Sequence, residues 1–205
     1  MRITLVRGDI TQQDVDAIVT AANSELRGGG GVDAAVHAAA GPRLLAACRP
    51  LAPCPPGSAV ITPAFDLAPV KWVIHAVGPI YRGSDDEASL ASAYTSALSL
   101  AEQAGAVSVA FPSISTGAFG YPADDAAYVS VAALWGRESS VEEVRLVAFN
   151  EATWEHWNDA LMEQVMGDRL KEVLRAGPES FIPSEELFAS LGAEAEETRT
   201  PPASD

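Results

Sequence analysis

Lysine is almost missing from this chain of 205 residues: only Lys71 and Lys171 occur, and acids outnumber Lys plus Arg by 28 to 13. A net charge of −15 with no basic run argues against a groove that grips nucleic acid by neutralising its phosphates, since that mode needs clustered cations. Direct nucleic-acid binding is therefore not expected. Cysteine is scarce. Cys48 and Cys54 lie among prolines, and a disulfide between them fits the spacing, but reduced thiols are the safer reading without a sign of secretion. Three histidines and two cysteines show no metal-ligand spacing, so no metal and no cofactor are expected. Long apolar runs are missing as well, and none approaches the length that crosses a bilayer. The opening Arg2-Ile-Thr-Leu-Val lacks the charged, apolar and cleavage regions of a signal peptide. These absences point to a soluble, cytoplasmic protein with no membrane partner.

What is present alternates. Short apolar runs at Ile3–Val6, Ala17–Ala21, Val60–Thr62, Trp72–Val77, Val107–Phe111 and Val144–Phe149 read as strands. Several are apolar on both faces, as in a sheet covered on each side. Helical patterns fill the gaps at Val32–Ala47, Glu87–Ala104 and Ala123–Trp135, the second with Leu90, Tyr94, Leu98 and Ala101 as its inward stripe. A last helix starts near Glu151 and carries Trp154, Trp157, Leu161 and Val165 on one face, core residues rather than a ligand platform. The sum is a three-layer α/β/α domain. Gly167 weakens the last helix, although Leu170, Val173 and Leu174 extend its pattern. We divide the chain into a domain over 1–166 and a helix extension with an acidic, proline-containing tail over 167–205. That tail reads as largely disordered, with one short helix around Ser184–Leu191.

The densest functional signal is Gly28-Gly29-Gly30-Gly31-Val32-Asp33-Ala-Ala-Val-His37. Four glycines offer N–H groups that no side chain shields, and such groups form anion-binding nests. Helix formers follow, so the nest opens onto a helix N-terminus, which also favours phosphate. An ordinary glycine linker, with Asp33 merely suiting the helix dipole, is the competing reading. Two more small-residue loops follow strands: Gly8-Asp9-Ile10-Thr11 and Ser113-Ile-Ser-Thr-Gly-Ala-Phe-Gly-Tyr-Pro122. Loops beyond the carboxyl ends of strands are where open α/β sheets bind ligands.

Together with Ala21-Ala22-Asn23, Ala39-Ala40-Gly41 and His75-Ala-Val-Gly78-Pro79, these segments resemble the macrodomain family. Within it they look most like the MacroD-type branch of ADP-ribosylhydrolases and O-acetyl-ADP-ribose deacetylases. The ordered set covers the chain to about Val165 and leaves the tail without a counterpart. The resemblance implies a central mixed sheet, ADP-ribose and ADP-ribosylated proteins as partners, and hydrolysis of ADP-ribosyl esters. It implies that Asp9 accepts the adenine amine, with Ile10 alongside. The loop Gly28, Gly29, Gly30, Gly31 and Val32, and the loop Ser115, Thr116, Gly117, Ala118 and Phe119, would clamp the diphosphate through backbone N–H groups. Phe119 would cover the distal ribose, Phe149 would pack on the adenine, and Asn23 would hold the distal ribose in register.

Asp33 is then the residue expected to carry turnover. Ester cleavage needs a positioned water and help for positive charge developing on the sugar, and one carboxylate serves both. His37, four residues on, shares its helix face and is expected to orient or pack rather than react. His75 reads as a core histidine, and nothing about His156 suggests catalysis. Three positions depart from the resemblance: Thr20 where Asn is usual, Ala34 where Gly is usual, and Ala38 where Arg is common. Thr20 would lose an amide near Asn23, and Ala34 would set a methyl next to Asp33 where glycine lets the sugar approach; binding should survive both changes, which bear on the hydrolytic rate. A non-catalytic ADP-ribose reader has the same fold, and only Asp33 with Asn23 argues against it. A serine hydrolase lacks its G-x-S-x-G elbow, and a dinucleotide oxidoreductase its G-x-G-x-x-G spacing.

Overall fold

A computed structural model of the protein describes residues 1–176. The acidic tail and the short helix expected at Ser184–Leu191 lie outside the described residues. Among the described residues, six strands form one sheet: β1 (Arg2–Arg7), β2 (Ala17–Ala21), β3 (Ala59–Pro63), β4 (Trp72–Ala76), β5 (Ser108–Phe111) and β6 (Glu143–Ala148), in the order β1-β6-β5-β2-β4-β3. All neighbours run parallel except β3, which pairs antiparallel to β4 at one edge. The sheet is therefore mixed, and each run read as a strand is one.

Alternation explains why those runs are apolar on both faces. In β2, Ala17 and Val19 join one core while Ile18 joins the other; in β6, Val144 and Leu146 take one side and Val147 the opposite. Successive strand residues point to opposite faces, and here both faces are covered. Helices α3 (Glu87–Gln103), α4 (Ala123–Leu134) and α5 (Glu151–Ala176) supply Leu90, Tyr94, Leu98, Leu134 and Trp157 to one core. Helices α1 (Gly31–Ala40) and α2 (Pro42–Cys48) supply Val36, Leu44 and Cys48 to the other. The expected three layers are present.

Two helix expectations need correction. The single helix read over Val32–Ala47 is two, because Gly41 sits at φ 77° and ψ 178° between α1 and α2. Pro42 then starts α2, its missing N–H costing nothing in a first turn. A side chain at 41 would also meet the Asp66 carboxylate, 2.5 Å from where its Cβ would stand. In α5, Trp157 is fully buried and Trp154 and Leu161 pack against the core, but Val165 is exposed. The helix continues through Gly167 to Ala176. Met1–Gln164 form one compact unit.

The amino ends of the strands are tied separately from their carboxyl ends. Asp16, just before β2, accepts from Lys71 Nζ at 2.6 Å and from the Val107 and Ser108 amides at 2.9 and 3.3 Å. The Lys71 bond and those amides hold its carboxyl below the usual carboxylate range. This clasp fixes the starts of β2, β4 and β5 and leaves their far ends free to carry loops.

Candidate active site

A cleft of about 890 Å³ opens beyond the carboxyl ends of β1, β2, β5 and β6. Gly8, Asp9 and Ile10 follow β1, Ala22 and Asn23 follow β2, Pro112–Phe119 follow β5, and Phe149 and Asn150 follow β6; all line it. The mouth of a parallel sheet is where loops from several strands converge. Here the convergence brings together every loop singled out in the sequence.

Asp9 caps a short 3-10 turn (Ile10–Gln12), its Oδ1 accepting from the Thr11 amide and hydroxyl, both at 2.8 Å. Oδ2 takes part in neither bond. Phe149 is 80 % exposed at the cleft's edge, so it is not the core residue a phenylalanine usually is. The 113–122 loop is fastened from below and from the side. Tyr94 of α3 receives the Ile114 amide at 3.0 Å and donates to the Pro112 carbonyl at 3.1 Å. The Tyr81 amide donates to the Phe119 carbonyl at 2.9 Å. Ser115 stands at φ +68°, rare for a residue with a Cβ, and its buried Oγ has no hydrogen-bond partner. Gly78 makes room for it: a Cβ there would lie 2.1 Å from Ser115 Oγ and 2.6 Å from Ile114 Cγ2.

Asp33 lies in the first turn of α1 and is 2 % exposed. Its two oxygens differ. Oδ1 accepts from the Thr20 hydroxyl at 3.0 Å and stands 3.8 Å from His37 Nε2. Oδ2 is buried and unpartnered, 3.4 Å from where a Cβ on Gly29 would stand, and the Asn23 amide nitrogen is 3.6 Å from the same point. That nitrogen donates to the Gly28 carbonyl at 2.8 Å. Gly28 thus braces Asn23 and is not among the lining residues, whereas Gly29, Gly30, Gly31 and Val32 are. Burial raises the Asp33 carboxyl above its ordinary range, against the opposing pull of His37 and the Thr20 bond.

Behind Asp33 lies a polar cluster that the linear spacing hid. Among the described residues, His37 of α1, Cys48 of α2 and His75 of β4 bring ligand atoms within 4.8 Å of one another. His75 Nε2 is 3.0 Å from Thr62 Oγ1 and 3.5 Å from Cys48 Sγ. Burial pushes the Cys48 thiol up to about 11, helped by the Asp33 charge, and pushes His75 down to about 4. Cys48 and His75 rest neutral and hydrogen-bonded, and His75 is the core histidine expected. Cys48 and Cys54 are both free thiols.

The folded chain gathers Asp9, Ile10, Asn23, Gly29 to Asp33, Ser115 to Phe119 and Phe149 around one cleft. It corrects the expectation for Ala34, which is exposed and lies outside the lining. One residue is about 100° of helix, so turning Asp33 inward turns Ala34 away. Asn150, Thr153 and His156 line the cleft unforeseen; only their position at the start of α5, after a strand, hinted at it. Asn150 also caps α5, accepting from the Thr153 amide at 2.9 Å.

The profile of the Macro domain family matches residues 19–130. The chain is a macrodomain. It is 48 % identical over 177 residues to a macro domain-containing protein of Listeria monocytogenes, covering 81 % of this chain and all of that one. It is 49 % identical to the O-acetyl-ADP-ribose deacetylase of Klebsiella pneumoniae, over 73 % of this chain and 90 % of the relative. Among solved structures, a variant of the Oceanobacillus iheyensis macrodomain with ADP-ribose bound superposes with a TM-score of 0.76. It is 38 % identical and covers 80 % of this chain and 94 % of that one. That solved structure holds ADP-ribose, and the cleft described above gathers the small-residue loops at this macrodomain's strand ends.

Proposed function

We propose that this macrodomain binds ADP-ribose in the cleft and hydrolyses ADP-ribosyl esters, on acidic side chains of proteins and in O-acetyl-ADP-ribose. The observation that carries the proposal is the buried, unpartnered Oδ2 of Asp33 facing the space over Gly29. A buried acceptor left without a donor costs free energy, and a water or sugar hydroxyl in that space would satisfy it. Asn23 borders the same space and would hold the distal ribose. The amides of Gly29 to Val32 and of Ser115 to Phe119 would take the diphosphate without any cation, in keeping with a chain of two lysines. Asp9 Oδ2 would accept the adenine amine, and Phe149 would cover the ring.

The chemistry asked of Asp33 is modest. In a glycosyl ester, water adds at C1″ while the C1″–O bond breaks and the acyl group leaves as carboxylate. The water's proton passes to Asp33 or to the ligand phosphate, and the Asp33 charge stabilises the oxocarbenium character at C1″. A carboxyl raised by burial is a better base than one exposed to solvent. The relative named O-acetyl-ADP-ribose deacetylase supports hydrolysis of an ester carried by the same ligand, where water adds to the acetyl carbonyl, the acyl C–O bond breaks, and acetate and the ribose hydroxyl result.

Two outcomes test the assignment of binding and chemistry to different groups. Asp9→Ala should weaken ADP-ribose binding by about 1.5–3 kcal/mol, the worth of a hydrogen bond to a charged group, with single-turnover chemistry unchanged at saturation. Equal affinity by calorimetry would remove Asp9 from the adenine site. Gly29→Ala should do the reverse. Its methyl would occupy the space between Asp33 Oδ2 and Asn23, so kcat should fall roughly tenfold or more with a smaller change in Kd. A Gly29→Ala enzyme as fast as wild type would mean that the reacting water sits elsewhere.

A further inference from the structure

We infer that Thr20 is a positioning residue that commits Asp33 Oδ1 to the protein and leaves Oδ2 as the reactive oxygen. The inference rests on the hydrolytic reading above and concerns one of the positions where this chain departs from its family resemblance.

A carboxylate can rotate its two oxygens into either place, so one reactive oxygen requires that the other be held. Thr20 is in β2, fully buried, and paired in register with His75 of β4. Its hydroxyl reaches Asp33 Oδ1 at 3.0 Å across 13 residues. A β-branched side chain in a strand has few χ1 options, so the donor is rigid. His37 Nε2 sits near the same oxygen at 3.8 Å, beyond hydrogen-bond length. Thr20 is therefore the direct tether, and His37 acts through charge when protonated.

The tether also acts on protonation. Desolvation raises the Asp33 carboxyl, and the His37 charge and the Thr20 bond oppose it. The titratable groups around Asp33 are His37 on its own helix, Cys48 on α2 and, behind them, His75 on β4. Burial holds Cys48 and His75 neutral near pH 7. Removing the Thr20 hydroxyl therefore leaves only His37 to oppose desolvation, and Asp33 should take up its proton at a higher pH.

The test compares wild type with Thr20→Val, which keeps the shape and loses the hydroxyl, and Thr20→Ser, which keeps the hydroxyl. Carbon-13 NMR of the Asp33 carboxyl in the free protein should show a titration midpoint moved upward in Thr20→Val and near wild type in Thr20→Ser. In turnover, Thr20→Val should lose roughly 10- to 100-fold in kcat at neutral pH with KM little changed, and its acidic limb should lie at higher pH. A purely structural role would lower the rate equally at all pH values. If Thr20→Val fails to fold, Thr20→Asn takes its place, with an amide donor offered to the same oxygen and a midpoint near wild type expected. An unchanged Asp33 midpoint in Thr20→Val, or a displaced one in Thr20→Asn, overturns the inference. Because the titration is read without substrate, a wild type that releases no ADP-ribose would remove the hydrolytic reading while the Asp33 midpoints still decide whether Thr20 holds it.

Discussion

Asp33→Ala should lower kcat for ester hydrolysis by at least about 100-fold, the scale of a lost general base, while ADP-ribose affinity changes only a few-fold. The diphosphate contacts proposed here are backbone amides of two loops, and neither depends on a carboxylate. What disappears is an interaction made mainly in the transition state, and such a loss appears in kcat rather than in binding. Single-turnover release of label from an ester-linked substrate, with calorimetry on the same protein, measures both. Full turnover in Asp33→Ala would move the catalytic assignment elsewhere.

The same group predicts a trade between stability and activity. Asp33 has a raised carboxyl pKa in the folded protein, so the folded state holds that proton more tightly than the unfolded chain. Stability then falls as pH rises from the unfolded value of 3.8 through the folded one, and the full penalty applies above both. Asp33→Asn, which keeps the shape without the charge, should therefore raise the melting temperature near neutral pH, and the gain should vanish below pH 3.8. A lower melting temperature for Asp33→Asn at neutral pH would mean that the ionised carboxylate is better compensated than its surroundings indicate.

Gly78→Ala should damage the site from the other side. Its methyl would meet Ser115 Oγ at 2.1 Å and Ile114 Cγ2 at 2.6 Å, closer than any real contact, so the 113–122 loop must move. Overpacking of this kind costs about 1–3 kcal/mol, which for a domain of this size is several degrees of melting temperature. Affinity should fall about tenfold or more, because displaced loop amides no longer converge on one phosphate. Adding Ser115→Gly removes one of the two clashes and relieves the positive φ, so the double variant should regain part of the loss. Additive effects in that cycle would contradict a steric link between the two positions.

The strands were legible because a sheet covered on both faces needs apolar residues at every position, which makes each strand a short continuous run. Ile18 and Val19 point to opposite cores, yet both look the same in the sequence. The helix break was legible in principle at Gly41-Pro42 but was overridden by the alanine-rich, helix-favouring run on either side. Of the site, the glycine loop and the 113–122 loop stood out because small residues cluster where backbone must meet ligand. The Thr20–Asp33 bond did not, since it joins a strand to a helix that only the fold brings together. Nor did the cluster of His37, Cys48 and His75, or the part Gly78 plays in seating Ser115. A clash avoided leaves no pattern in composition or periodicity. Ala34 failed for the opposite reason: adjacency in sequence to Asp33 is separation in space on a helix.

Release of ADP-ribose from a protein mono-ADP-ribosylated on Glu or Asp, followed by label, with calorimetric binding of free ADP-ribose alongside, decides between a hydrolase and a reader. One-to-one binding and catalytic release that Asp33→Ala abolishes are expected. Tight binding with no release from ester-linked or acetylated ADP-ribose would contradict that expectation and make this macrodomain a reader.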